Sequence, residues 1–437
     1  MAEILPFTAL RYDEQQVTLM QVVTQPYDKI TPAMQERYYG ASPFNLVRII
    51  LGRHESDDTT GNNVYTRAAE YFRDWRQRGI LRLDAAPSIY AYSQRFHDPA
   101  TNAERERRGF IALGRLEDYS AKVVFRHEQT LAKPKADRLD LLRATRAQFE
   151  QLFMLYEDSG EIDSLLAEAT KNPATTEVTD EYGVVHRIWQ VSDARVIDSL
   201  RLKMRDKKLV IADGHHRYET ALNYRDERRA AATQEVAASG PALYEYVVMT
   251  LVSVNSPGLL ILPTHRVVHS LPSFSADDFL TSSRKYFDVE ELDAALDAGR
   301  ATAILCERGV SGVALLAVTA DRALLLTKPK PAAQKFLARV SERQQALDVV
   351  QLHKCVLEGV LRLSGESIRN QQNISYIRDA AEAIAQVRSG KANVAFLMNA
   401  CSVQQVRDIA LAGEVMPQKS TDFYPKLLSG LATYALE

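Results

Sequence analysis

The sequence predicts a mixed α/β fold. Short apolar runs such as LVIA at 209–212 and ANVAFLMNA at 392–400, bounded by polar or turn residues, have the length and content of buried strands. Segments with apolar residues at three-and-four spacing alternate with them. The stretch LVIADGHHR at 209–217 joins one kind of element to the other directly, through Asp213-Gly214.

Length and composition bound the rest. A chain of 437 residues suggests two or three domains. Hydrophobic residues make up 46% and charged residues 25%, enough for large cores in a globular protein. The net charge of −2 gives no global basic field to hold a nucleic-acid backbone, so no nucleic-acid partner is expected. Arg105, Arg107 and Arg108 form a short basic cluster that reads as a solvated face. Cys306, Cys355 and Cys401 are too few and too scattered for a disulfide framework or zinc ribbon, which fits a reducing cytoplasm. The start has no basic region followed by a long apolar one, and no run of about 18 apolar residues occurs, so neither a signal peptide nor a membrane partner is expected.

Residues 1–118 read as an N-terminal α+β domain. VTLMQVVTQPYDKIT suggests a strand that stops at Pro26-Tyr27-Asp28, because proline cannot donate to a central ladder. Residues 62–78 have a helical pattern ending at Gly79, and 88–96 and 109–116 read as a strand pair. Residues 119–270 form the expected central domain. The stretch KADRLDLLRATRAQFEQLFMLYED has helical spacing, a small helix and strands around VVHRIWQV follow, and a helix covers roughly 217–236. YEYVVMTLVSV and LLILPTHRVV add two strand-like runs. A Ser/Pro-rich seam at SLPSFSADDF opens the expected C-terminal α/β domain, 271–437. There ATAILCERGVSGVALLAVTADRALLLT reads as three strands, LDVVQLHKCVLEGVLRL and DAAEAIAQVRSG as helices, and SVQQVRDIALAG as a capped helix ended by Gly413.

Three polar clusters carry candidate chemistry. The helix start after Asp213-Gly214 offers unpaired backbone N–H groups and a positive dipole end, and Arg217 adds a fork suited to phosphate. Gly214 lets a ligand approach the backbone, and Asp213 can hold a cation or accept a proton. His215 and His216 diverge by roughly 100° on a helix and so do not chelate one metal, which argues against zinc and leaves Mg²⁺ at Asp213. The second cluster, Arg126-His127-Glu128-Gln129-Thr130, sets an imidazole and a carboxylate beside two hydrogen-bonding groups, with Glu128 able to take a hydroxyl proton. The third, GEVMPQKST at 413–421, places Lys419 before the hydroxyls of Ser420 and Thr421, a phosphate-suited run that is not a P-loop. Pro26-Tyr27-Asp28 and Thr264-His265-Arg266 are weaker candidates for lining a cleft.

Taken together, Pro26-Tyr27-Asp28, HEQT at 127–130, KADRLDLL at 135–142, ADGHHR at 212–217 and GEVMPQKSTDFYPKLLSGL at 413–431 resemble a widespread prokaryotic family labelled only as a domain of unknown function. From about residue 120 onward the chain also resembles the free L-serine kinases of the ParB/sulfiredoxin-like superfamily, which show HEQ, DGHHR and GEV…PK[ST]T blocks in this order. The resemblance implies a ParB-like fold for 119–270, packed on the C-terminal domain, with the three blocks converging on a cleft between them.

It further implies that Glu128 is the general base for the serine hydroxyl, with His127 beside it. Asp213 would sit by the transferring phosphoryl and Mg²⁺, and Gly214, His215, His216 and Arg217 would cradle phosphate. Lys419, Ser420 and Thr421, with Gln129 and Thr130, would hold substrate or its phosphate. One departure is Phe423, which stands where the kinases carry a histidine. The implied reaction is phosphorylation of L-serine to O-phospho-L-serine by ATP, ADP or pyrophosphate in the cytoplasm, as part of amino-acid metabolism. The alternatives are a ParB-like nucleotide-binding regulator and a kinase for another small hydroxyl compound. The sequence does not fix oligomeric state, and a homodimer is allowed.

Overall fold

The computed structural model describes residues 1–130, 132–232 and 242–437. It is mixed α/β, 37% helical and 25% strand, as the alternating runs require. The chain forms two compact units. The first comprises residues 1–126, 130–259 and 425–437; the second comprises 127–129 and 260–424. This division differs from the three segments 1–118, 119–270 and 271–437, because strands before and after residue 118 hydrogen-bond into one sheet.

That sheet has nine strands and forms the core of the first unit. Its order is Val124–Phe125, Leu209–Asp213, Leu152–Tyr156, Tyr246–Ser253, Glu104–Arg115, Ile89–His97, Val185–Val191, Thr176–Thr179, with Ile4–Leu5 also on Glu104–Arg115. The expected pair around 88–116 is a long antiparallel hairpin, Ile89–His97 on Glu104–Arg115. Its partner Tyr246–Ser253 is buried at every position, as an interior strand should be. Helix Val64–Gln77 matches its pattern: Asn63 caps it through Tyr65 and Thr66, Ala68, Phe72 and Trp75 share a buried face, and Gly79 (φ 70°) lies just beyond.

The second unit is built on a six-stranded antiparallel sheet, Asp288–Leu292, Ala323–Thr327, Ala314–Val318, Val394–Met398, His265–Val268, Ile374–Ile377. Helices Ala298–Gly309 and Ala380–Arg388 pack on it through Ala301, Leu305, Ala383 and Ile384. Helix Val403–Leu411 carries a full capping box between Ser402 and Gln405. Among the described residues no helix is long and apolar enough to cross a membrane.

Three elements differ from expectation. Residues 301–309 are helical: Asp297 accepts from Arg300 N at 2.8 Å, and Ala301 and Leu305 fall four apart on one buried face. The run after residue 17 makes a single turn, Leu19–Val22, whose Leu19 and Val22 are buried, before Thr24 bridges Ser429. The helical spacing after residue 135 lasts only to Thr145, where Arg146 turns to φ 49° and strands follow. Helix His215–Ala231 matches its expected start, and 233–236 lie outside the described residues.

Asp348 is a half-buried acid in the second unit. Its Oδ1 accepts from Ala314 N at 3.2 Å, and burial raises its pKa to about 6. Folding therefore favours the protonated form. The contribution is fully present below the unfolded value near 4 and is lost as pH rises through about 6. Wild type minus Asp348→Asn, compared by denaturant melts between pH 4 and pH 7, should show the wild type losing about 1–2 kcal/mol more over that interval. A difference independent of pH would contradict the assignment.

Candidate active site

The sequence-selected residues fall into two clusters, one in each unit. In the first unit strand Leu209–Asp213 delivers Asp213. Its pairing with Leu152–Tyr156 shifts register between Ile211 and Asp213, a bulge of the kind that re-aims a side chain at a strand end. Gly214 follows at φ 97°, where a Cβ would come within 2.8 Å of Leu152 Cδ2 and 3.2 Å of Arg217 Nη2. Glycine is thus required both by conformation and by space. Gly214 N donates to Asp213 Oδ1 at 2.8 Å, and helix His215–Ala231 begins immediately, with His215 buried and His216 and Arg217 half-buried.

Cations gather around this turn. Lys426 Nζ lies 3.1 Å from Asp213 Oδ2 and is itself buried. Burial alone would raise the Asp213 pKa, but Lys426, Arg217 and Lys29 overrule it and hold the carboxyl far below the usual range. Arg217 Nη1 donates to the Gln151 carbonyl at 2.5 Å. Burial opposes its charge, yet Glu150, Asp213, Asp28 and Tyr27 raise its pKa overall. The Pro-Tyr-Asp turn is therefore part of this cluster. Tyr27 N donates to Glu150 Oε1 at 2.9 Å, and the Arg138 guanidinium stacks 4.1 Å over the Tyr27 ring.

Lys426 and Lys29 were not singled out in the sequence, and Arg107 was misread as part of a solvated face. Arg107 is 2% exposed: it donates to Gln94 Oε1 and to the Pro425 carbonyl, while Gln94 Nε2 donates to the Lys426 carbonyl at 2.8 Å. Burial lowers its pKa to about 10, which leaves it charged at neutral pH. These bonds fix the backbone from which Lys426 reaches Asp213.

The second unit holds His127–Gln129 against the 415–421 loop. Glu128 bridges Met416 in parallel, and Met416 N donates to the His127 carbonyl at 2.8 Å. His127 is fully buried, and its Nε2 is 2.8 Å from Thr421 Oγ1. Lys419 N approaches Glu128 Oε1 at 3.4 Å. Lys419 adopts φ 56°, a left-handed conformation costly for a residue with a Cβ. The buried Arg266 holds that loop by donating to the Gln418 and Lys419 carbonyls at 3.1 and 3.0 Å. Phe423 is buried edge-on to His127.

Two expected substrate contacts are otherwise engaged. Thr130 lies in the first unit and donates to Glu219 Oε2 at 2.5 Å, beside Arg126 and Lys135. Ser420 closes a turn on the Pro417 carbonyl. Mg²⁺ at Asp213 also fits poorly. Asp213 already faces three cations, whereas Mg²⁺ seeks oxygen donors. Cationic side chains at a helix start suit an anion instead.

A model of the family described as "Protein of unknown function (DUF1015)" matches residues 4–350, and the chain belongs to that family. No curated protein matches the chain. Similar solved structures include "Free serine kinase in complex with AMP" (11% identity, 69% of this chain and 83% of that one, TM-score 0.33). A conserved hypothetical protein from Pyrococcus furiosus (11%, 72% and 92%, 0.35) and C-terminally truncated SbnI from Staphylococcus aureus (9%, 73% and 85%, 0.35) are two more. At such scores they carry no weight on the reaction, which is argued from this chain's own residues.

Gly214→Ala should lower stability by about 1–3 kcal/mol in denaturant melts, because Ala meets both strain and Leu152. Gly365→Ala, at an open position with ordinary φ, should be neutral within about 0.5 kcal/mol. Equal effects at both positions would contradict the account of the turn.

Proposed function

We propose that the protein is a small-molecule phosphotransferase that phosphorylates the hydroxyl of free L-serine, drawing on ATP, ADP or pyrophosphate. The observation that carries this reading is the cation-rich turn at 213–217, where Arg217, Lys426 and Lys29 surround a helix start. Phosphoryl transfer depends on positioning and charge neutralisation more than on covalent chemistry, and this turn supplies both. The ordered HEQ, DGHHR and GEV…KST blocks, which resemble those of the free serine kinases, support serine as acceptor.

In this reading donor phosphate oxygens accept from the first-turn N–H groups of helix His215–Ala231, with Arg217 and Lys426 neutralising charge that shifts to the leaving oxygen. The bond from phosphorus to the donor oxygen breaks as the bond to the serine oxygen forms. Glu128 takes the hydroxyl proton, and the strained Lys419 backbone, held by Arg266, keeps the Glu128 carboxylate in place. His127 orients Thr421 for the substrate. Mg²⁺, where needed, would arrive with the donor phosphates, since Asp213 is already paired with Lys426.

Mass spectrometry of protein incubated with L-serine and, separately, ATP, ADP or pyrophosphate tests the reading and names the donor. Phosphoserine should form with at least one donor, and Glu128→Gln should lower kcat by about 10²–10⁴ with the donor KM little changed. If folded protein makes no phosphoserine with any donor, serine phosphorylation is refuted. Wild-type turnover in Glu128→Gln would remove Glu128 as the base.

A further inference from the structure

The second unit contains a cavity of about 360 Å³ that reaches Gln129 and Met416–Gln418 beside Glu128 and extends well beyond them along residues 339–376. That volume lies within the range of metabolite pockets and exceeds what one serine needs. Part of its wall is an unusual helix, Leu352–Val360, wound with i→i+5 hydrogen bonds such as Leu361 N to the Val356 carbonyl at 2.8 Å. Such winding is rare and is kept most often where a binding site needs it.

Three further observations describe what the cavity would take. First, His353, from that helix, is 6% exposed, and its Nε2 has no hydrogen-bond partner among the described residues; neither has the buried Tyr376 Oη. Buried polar atoms without partners are uncommon, and those lining a cavity mark where a ligand or its water completes the bonding. Burial lowers the His353 pKa well below its ordinary value, so the ring is neutral and acts through hydrogen bonding.

Second, charge on the lining is unbalanced. Lys354 is paired with Glu358 at 2.8 Å. Arg339 and Arg369 are exposed and have no ionic or hydrogen-bonded side-chain partner among the described residues, which leaves two uncompensated positive charges. Third, Val350, Ile368 and Met416 give the lining an apolar part.

We propose that this cavity binds an organic anion, a carboxylate or phosphate ester with an apolar body, through Arg339 and Arg369 for its charge and His353 and Tyr376 for hydrogen bonds. The groups that would hold the anion, Arg339, Arg369, His353 and Tyr376, are none of those assigned to phosphoryl transfer, although the cavity borders Glu128 through Gln129.

Calorimetric titration of the full chain tests this with three probes: phenyl phosphate, phenylacetate and inorganic phosphate. At least one aromatic anion should bind saturably and about tenfold or more tighter than inorganic phosphate; which one binds distinguishes a phosphate ester from a carboxylate. Arg339→Ala/Arg369→Ala should fold with an unchanged Tm, since neither side chain has a partner to lose, and should weaken binding about tenfold or more. Because the turn at 213–217 can also take phosphate, the same titrations are run on Lys426→Ala: binding of the aromatic anion that persists there and is lost when Arg339 and Arg369 are also replaced belongs to the cavity. The proposal is overturned if neither aromatic anion binds, if inorganic phosphate binds as well as they do, or if the double variant binds like wild type.

Discussion

The ion pair between Lys426 and Asp213 is the constraint on which the candidate chemistry of the first unit depends. It joins residues 213 positions apart, and neither partner would be placed without the other's surroundings. Lys426 is held by its backbone: Arg107 and Gln94, on the two strands of the long hairpin, grip the carbonyls of Pro425 and Lys426. Asp213 is held by a bulge and by a glycine that no other residue replaces without strain. Burying charges is expensive, and a buried pair seldom repays its desolvation with stability alone. Here Lys426, Arg217 and Lys29 face Asp213 at the start of a helix, with Glu150 and Asp28 acting on Arg217, and cations so placed beside first-turn N–H groups suit binding an anion.

In the second unit the same logic runs through the backbone. Arg266 is fully buried, yet its charge serves peptide carbonyls at Gln418 and Lys419 and the face of Tyr376, with no carboxylate among the described residues bonded to it. Burial lowers its pKa to about 10, so it remains a cation at neutral pH. Its bonds offset the cost of the left-handed Lys419 and hold the loop that meets Glu128. Rigid positioning of a carboxylate is what the general-base role proposed for Glu128 would require.

Patterns with a local cause were legible in the sequence. The hairpin at 89–115, the capped helices Val64–Gln77 and Val403–Leu411, and the turn from strand to helix at Gly214 all follow from alternation, caps and glycine placement. The sheet that joins residues before and after 118 was not legible, because pairing across such distances leaves no local signature. Arg107 shows the limit well. In a triplet of arginines it reads as solvated, yet it shares a strand face with Gly109, Ile111 and Leu113, and that alternation was the available signal. Ala-rich 301–309 went the other way: its apolar content suggested a strand, and only the cap at Asp297 marks the helix. Thr130 and Ser420 were selected for their hydroxyls, which the fold spends on Glu219 and Pro417.

The central claim is that the turn at 213–217 is an anion cradle completed by Lys426 and not a metal site. Calorimetric titration with inorganic pyrophosphate in excess EDTA addresses it most directly. The account predicts saturable binding by the wild-type chain without any divalent ion, weakened about tenfold or more by Lys426→Ala. Binding that appears only when Mg²⁺ is added, and that Lys426→Ala leaves untouched, would contradict it.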